Sequence, residues 1–169
     1  GLREQDINYV VGKELEALLK ANGNFAVQVS RPTPETHLGS KDATSSRASL
    51  QARVQAANQW PADYFISLHC NTNPNPNISG SEAYVYSRSS EAYPLAEHIL
   101  IGLAQVTGLP NRGVKISTSL YVLRRTTMPA VLVEMGFLTN VEDAALLESR
   151  PDLFAQGIYQ GILSYFGMS

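Results

Sequence analysis

AVLVEMGFLTN, residues 130 to 140, decides how this chain is read. Ala130 to Val133 are apolar at consecutive positions instead of alternate ones, which predicts a strand buried on both faces. The run ends on a carboxylate, Glu134, and breaks at once into a glycine turn. An unpaired ionised glutamate there costs on the order of several kcal/mol unless a cation, a hydrogen-bonding shell or a proton compensates it. Glu134 is therefore a candidate site residue, and its neighbours become the question.

The chain around this stretch has 169 residues, 44% of them hydrophobic, enough for one globular domain with a proper core. A formal charge of -2 and the lack of a Lys/Arg run give no general attraction for nucleic acid or an anionic membrane. No apolar run approaches the ~18 residues of a membrane span. The single cysteine, Cys70, excludes an intramolecular disulfide and a zinc ribbon or finger, but leaves the compartment open. The chain opens at Gly1 without an initiator methionine, and its natural start is expected upstream.

Working outward, Asp6 is placed to cap a helix from about Ile7 to Asn22, with Val11, Leu15, Leu18 and Leu19 at helical spacing. FAVQVS, 25 to 30, reads as a strand, and 31 to 48 as a polar surface loop. Ser49 is positioned to cap a helix carrying Leu50, Val54 and Ala57 that ends at Trp60 and Pro61. Tyr64 to Leu68 is a short apolar strand that delivers His69, Cys70 and Asn71 at its end, and Ser81 to Tyr86 is an alternating strand. A helix from Ser90 to Gly108 precedes two extended pieces, around Val114 and over Leu120 to Leu123. After residue 140, Asn140 and Ser149 are candidate caps of a brief helix and of a terminal helix with Pro151 in its first turn. Gly157 and Gly161 in that last helix predict close helix-to-sheet contact. The alternation of helices and strands argues for a single α/β domain spanning 1 to 169: a mostly parallel twisted sheet flanked by helices on both faces. Ligands of such sheets collect beyond the C-terminal strand ends, where His69 and Glu134 are expected to share one rim.

A histidine and carboxylates are suitable materials for a hydrolytic zinc site. No HExxH occurs, and a plainer reading stays open: His69 bonded to backbone, and Glu134 serving as a helix cap or as the ion-pair partner of an arginine such as Arg124. His37 and His98 read as solvated histidines. Cys70, next to His69 on a strand, points to the opposite face and reads as a packed thiol.

Four stretches, GLREQDIN at 1 to 8, DYFISLHCN at 63 to 71, LYVLRRTTMPAVLVEMGFLTN at 120 to 140 and the terminal helix, resemble the zinc-dependent N-acetylmuramoyl-L-alanine amidases of bacterial cell walls. The resemblance covers nearly the whole chain in the expected order. It implies that Glu4 and His69 are zinc ligands, that Glu134 is the catalytic acid/base, and that Asn71 and Arg124 are cleft residues. It also implies a first strand and a DPGHGG-like turn ahead of Gly1, whose histidine is the third ligand. The implied activity is zinc-assisted hydrolysis of the amide between N-acetylmuramic acid and L-alanine of the peptidoglycan stem. The setting implied is extracytoplasmic, with peptidoglycan as partner, a secreted autolysin-like role and a monomeric state. Alternatives are a degenerate, non-catalytic peptidoglycan-binding domain and a zinc peptidase cutting within the stem. Some relatives insert a helix that blocks the metal after the histidine ligand; the prolines of 72 to 80 oppose one here.

Overall fold

The computed structural model describes residues 4–30 and 46–168, and of residues 46–50 the backbone only. Helix α1, Glu4–Asn22, buries Ile7, Val11, Leu15 and Leu19, the stripe that a four-residue spacing dictates. It starts before Asp6, which is therefore not its cap. Asp6 and Glu4 instead lie in the first turn, where acidic side chains suit the partial positive charge of a helix N-terminus. Residues 25–30 are not the strand the alternation predicts. Phe25 and Val27 pack on the core, but among the described residues the segment joins no ladder, and a cavity separates it from the first strand.

After α2, Ser46–Gln59, which begins ahead of Ser49 and so is not capped by it, come β1, Phe65–Asn71, and β2, Ser81–Val85. Then follow α3, Ala92–Thr107, closed by Gly108 in the left-handed conformation, and β3, Asn111–Ile116. The extended piece expected over Leu120 to Leu123 is instead a helical turn, α4, Tyr121–Arg125. Four residues are too few for periodicity to tell the two apart, and the turn forms because it seats Val122 and Leu123 against Ala130 and Leu132. Next is β4, Ala130–Phe137. Helix α5, Val141–Ser149, is capped by the Asn140 side chain accepting from the Asp143 N–H, as expected. Helix α6, Pro151–Tyr165, has Pro151 in its first turn, but Ser149 does not cap it: its hydroxyl donates back to Ala145 O within α5.

The sheet order is β1-β4-β2-β3, with β1 parallel to β4, β2 parallel to β3, and β2 antiparallel to β4. It is thus mixed and mostly parallel, with helices on both faces. Val131, Val133 and Met135 of β4 and Ala83 and Val85 of β2 pack under α1, α3 and α6. On the other face Ala130 and Leu132 meet Val54 of α2 and α4. Among the described residues no helix is long and apolar enough to cross a membrane.

The glycines of α6 serve a helix partner and not the sheet. A methyl group at Gly161 would stand 2.5 Å from His98 O and Ile99 Cα of α3, and one at Gly157 would stand 2.8 Å from Leu103 Cα. The two backbones pack so closely that neither can yield to an added carbon. Gly161→Ala is expected to destabilise the fold by about 1–3 kcal/mol, an overpacking cost that outweighs alanine's better helix propensity. A Tm equal to or above wild type in thermal denaturation would contradict this packing.

Candidate functional site

Glu134 does not stand at a strand end. Strand β4 continues through it to Phe137, and Gly136 is a buried strand residue, not a turn. The carboxylate is tolerated because alternation turns it away from Val133 and Met135, toward the face shared with Ala130 and Leu132. Its direct partner in β1 is His69, and its direct partner in β2 is Glu82. Direct cross-strand partners lie on one face, so His69, Glu134 and Glu82 form a row across three strands. The site is therefore laid on the sheet face, toward the C-terminal half of β1, instead of on a rim beyond it.

Helix α1 adds Glu4 to this row. Its Oε1 lies 3.2 Å from His69 Nδ1 and accepts the Cys70 N–H at 3.1 Å. The hydrogen bond with His69 is the main reason the Glu4 carboxyl is held below its ordinary pKa, against an opposing effect of burial. The other ring nitrogen, His69 Nε2, meets Ser67 Oγ at 2.9 Å. Ser67 precedes His69 by two residues and so shares its face, a signal available from alternation and overlooked in reading the sequence.

Glu134 has a different environment. Its Oε2 is buried with no hydrogen-bond partner among the described residues. Burial pushes its pKa up from 4.5 to about 7; the negative charges of Glu4 and Glu82 add to the rise and His69 opposes it. An ion pair with Arg124 does not form. Arg124 is exposed on α4 and lines a separate cavity of about 320 Å³ with Tyr86, Leu123 and Met128. The structure thus brings Glu4, His69 and Glu134 together, and Arg124 is hydrogen-bonded to none of them.

Asn71 is drawn in through a partner the sequence reading missed. Its Nδ2 donates to Glu82 Oε1 at 2.6 Å and its Oδ1 accepts the Thr72 N–H at 2.9 Å. Glu82 Oε2 is bonded by the Lys115 ammonium, with Arg112 Nε at 3.6 Å. Within the polar-looking loop, Asn73 and Asn75 close successive turns, and no helix forms over 72–80. That loop is tied down by Asp143, wholly buried, which accepts from Ser79 Oγ, Gly80 N and Phe137 N.

Cys70 is buried on the opposite face with its thiol pushed up to about 12, mainly by burial, and is a packed thiol as expected. His98 bonds Ser164 on the outer side of α3 and α6. His37 and residues 31–45 of the expected loop lie outside the described residues. A cavity of about 1600 Å³ runs between α1, residues 24–30 and β1 and reaches Glu4 and His69. Its walls are apolar in part, through Phe25, Val27, Ile66 and Leu68. Among the described residues no three His, Cys, Asp or Glu side chains converge as a ligand set. Glu4 and His69 are the two donors that meet.

The family model for N-acetylmuramoyl-L-alanine amidase matches residues 1–164. The chain is 35% identical over 170 residues to N-acetylmuramoyl-L-alanine amidase LytC of Bacillus subtilis, a match covering 98% of the chain and 32% of LytC. It is 31% identical to the germination-specific N-acetylmuramoyl-L-alanine amidase of the same organism, covering 71% of that protein. The chain thus spans about a third of the first of these relatives. Among solved structures, the catalytic domain of CwlV from Bacillus (Paenibacillus) polymyxa superimposes with a TM-score of 0.81 at 32% identity, over 98% of this chain and 86% of that one. The CwlD amidase of Clostridioides difficile, in complex with the GerS lipoprotein, does so with 0.89 at 26% identity, over 99% and 88%.

The raised pKa of Glu134 has a thermodynamic consequence. The folded chain holds this proton more tightly than the unfolded chain does, so the stability it contributes is fully present below pH 4.5 and is lost as pH rises through about 7. In zinc-free buffer Glu134→Gln should therefore raise Tm by a few degrees at pH 8, with the difference vanishing near pH 4.5. A pH-independent difference in melting would contradict the burial argument.

Proposed function

We propose, from the premise that this chain belongs to the N-acetylmuramoyl-L-alanine amidase family, that it hydrolyses the amide joining the lactyl group of N-acetylmuramic acid to L-alanine in peptidoglycan. The observation that supports this reading best is the buried, unpartnered Glu134 Oε2 beside the Glu4–His69 pair. A structural glutamate would have found a donor in so polar a row. One left without a partner, with a pKa near 7, is suited to take up and release a proton at neutral pH.

The donor pair fits zinc in chemistry: one imidazole nitrogen and one carboxylate oxygen at a common point, with the second ring nitrogen oriented by Ser67. Glu4 and His69 would hold the ion. Zinc there supplies a lowered pKa for water and polarisation of the scissile carbonyl. Glu134 then accepts a proton from the attacking water and delivers it to the departing nitrogen as the new C–O bond forms and the C–N bond breaks. Such a polymer places the activity outside the cytoplasm, at the cell wall.

A second reading, a non-catalytic peptidoglycan-binding domain, is favoured by one observation: among the described residues only two metal donors converge. One experiment separates the two. Purified peptidoglycan is incubated with the full chain and zinc, and new L-alanine amino termini are counted. Glu134→Gln should lose about 10²–10⁴ of the rate while keeping its zinc content by elemental analysis. A chelator should abolish the activity and zinc restore it. Near-normal turnover by Glu134→Gln would sink its assigned role, and binding without release of amino termini would leave the non-catalytic reading standing.

A further inference from the structure

Asn71 and Glu82 belong to strands that are not neighbours, since β4 runs between β1 and β2. Their side chains nevertheless meet at 2.6 Å, so this hydrogen bond spans β4 on the face where Glu134 emerges. Glu82 is an expensive residue for that task. It is 4% exposed and directly opposite Glu134 in an antiparallel pair, an arrangement of like groups that disfavours the sheet. It needs Lys115 and Arg112 as counter-charges, and Arg112 is itself held over the ring of Phe137, the register partner of Asn71.

A glutamine could bridge the same strands without two cations. What a carboxylate does that an amide cannot is accept only, which permits one orientation of the Asn71 amide, nitrogen toward Glu82. The Asn71 oxygen is committed to the Thr72 N–H, so both ends of the amide are assigned and, among the described residues, one Nδ2 hydrogen is left over. We propose that Glu82 is a positioning residue: backed by Lys115 and Arg112, it locks the Asn71 amide so that its spare N–H donates to a carbonyl oxygen of the bound muramoyl peptide. The proposal rests on the amidase reading.

The test is a double-mutant cycle on the full zinc-loaded chain, with kcat and KM for amino-terminus release from peptidoglycan, zinc affinity and Tm measured for wild type, Glu82→Gln, Asn71→Ala and the pair. Each single variant should lower kcat/KM about tenfold, the value of one misplaced hydrogen bond. The double variant should be no worse than Asn71→Ala, and zinc affinity should stay within twofold of wild type. A merely structural Glu82 would lower Tm with kcat/KM losses that multiply in the double variant, and that result overturns the proposal. So does unchanged kcat/KM in Glu82→Gln, or a parallel fall in zinc affinity. If the Glu82 variants do not fold, unimpaired kcat/KM in Asn71→Ala alone overturns it. A wild-type chain that releases no amino termini refutes the amidase reading instead.

Discussion

The register of β4 is the constraint on which the rest depends. Val131, Val133 and Met135 are completely buried under α1, α3 and α6, and this fixes which face every other β4 residue takes. A slip of one position would send Glu134 into that apolar core and Met135 to the face of His69, a change that burial alone makes prohibitive. The pairings on both flanks then transmit the register outward: with β4 fixed, β1 must place His69, and β2 must place Glu82, level with Glu134. The geometry of the polar row is thus held by hydrophobic burial on the reverse side of the same strand.

The upper end of the site has a second anchor, the buried carboxylate of Asp143. By accepting from Ser79, Gly80 and Phe137 it joins the end of the Asn-rich loop to the end of β4, and the cap from Asn140 fixes the helix that carries it. The loop that follows Asn71 is therefore pinned at its far end. Asn71 itself is pinned at Thr72 and Glu82, and the segment between closes its own turns through asparagine side chains. A wall assembled this way presents backbone and amide groups with little freedom to rearrange.

Much of this was legible in the sequence where one physical signal dominated. The consecutive apolar residues of 130 to 133 identified the central strand, helical spacing identified α1, α3 and α6, and Asn140 was recognisable as a cap. Signals failed where tertiary partners decide. FAVQVS alternates as a strand does, yet a ladder requires a second edge within reach. LYVLR is apolar enough for either structure, and only its seat on Ala130 and Leu132 makes it helical. Gly157 and Gly161 announced close contact but could not say with what. At the site, family resemblance located Glu4, His69 and Glu134, which the fold brings together, and suggested Arg124, which it leaves on α4. Glu82 was invisible because an alternating strand is expected to carry a polar residue on its outer face; nothing local shows that this face is covered. Asp143 was hidden for a related reason, since an acid in the first turn of a helix has a sufficient explanation in the helix itself.

Three glutamates stand on or beside one sheet face, and what separates them is their company. Glu4 is held by a ring nitrogen and a backbone N–H, which favours its charged form and suits an oxygen donor to a cation. Glu82 is surrounded by an ammonium, a guanidinium and an amide, so its oxygens are fully engaged and have nothing left for a substrate. Glu134, between them, has one oxygen with no partner among the described residues, and burial together with its two acidic neighbours favours the protonated form. The two flanking carboxylates thus contribute to the middle one by charge as well as by position. Glu4 and Glu134 differ in proton affinity because their surroundings differ, and the acid/base role proposed for Glu134 depends on that difference. That difference follows from the order β1-β4-β2-β3, which sets Glu134 on an interior strand between His69 of β1 and Glu82 of β2, while Glu4 reaches the same row from α1 and the cations that hold Glu82 come from β3.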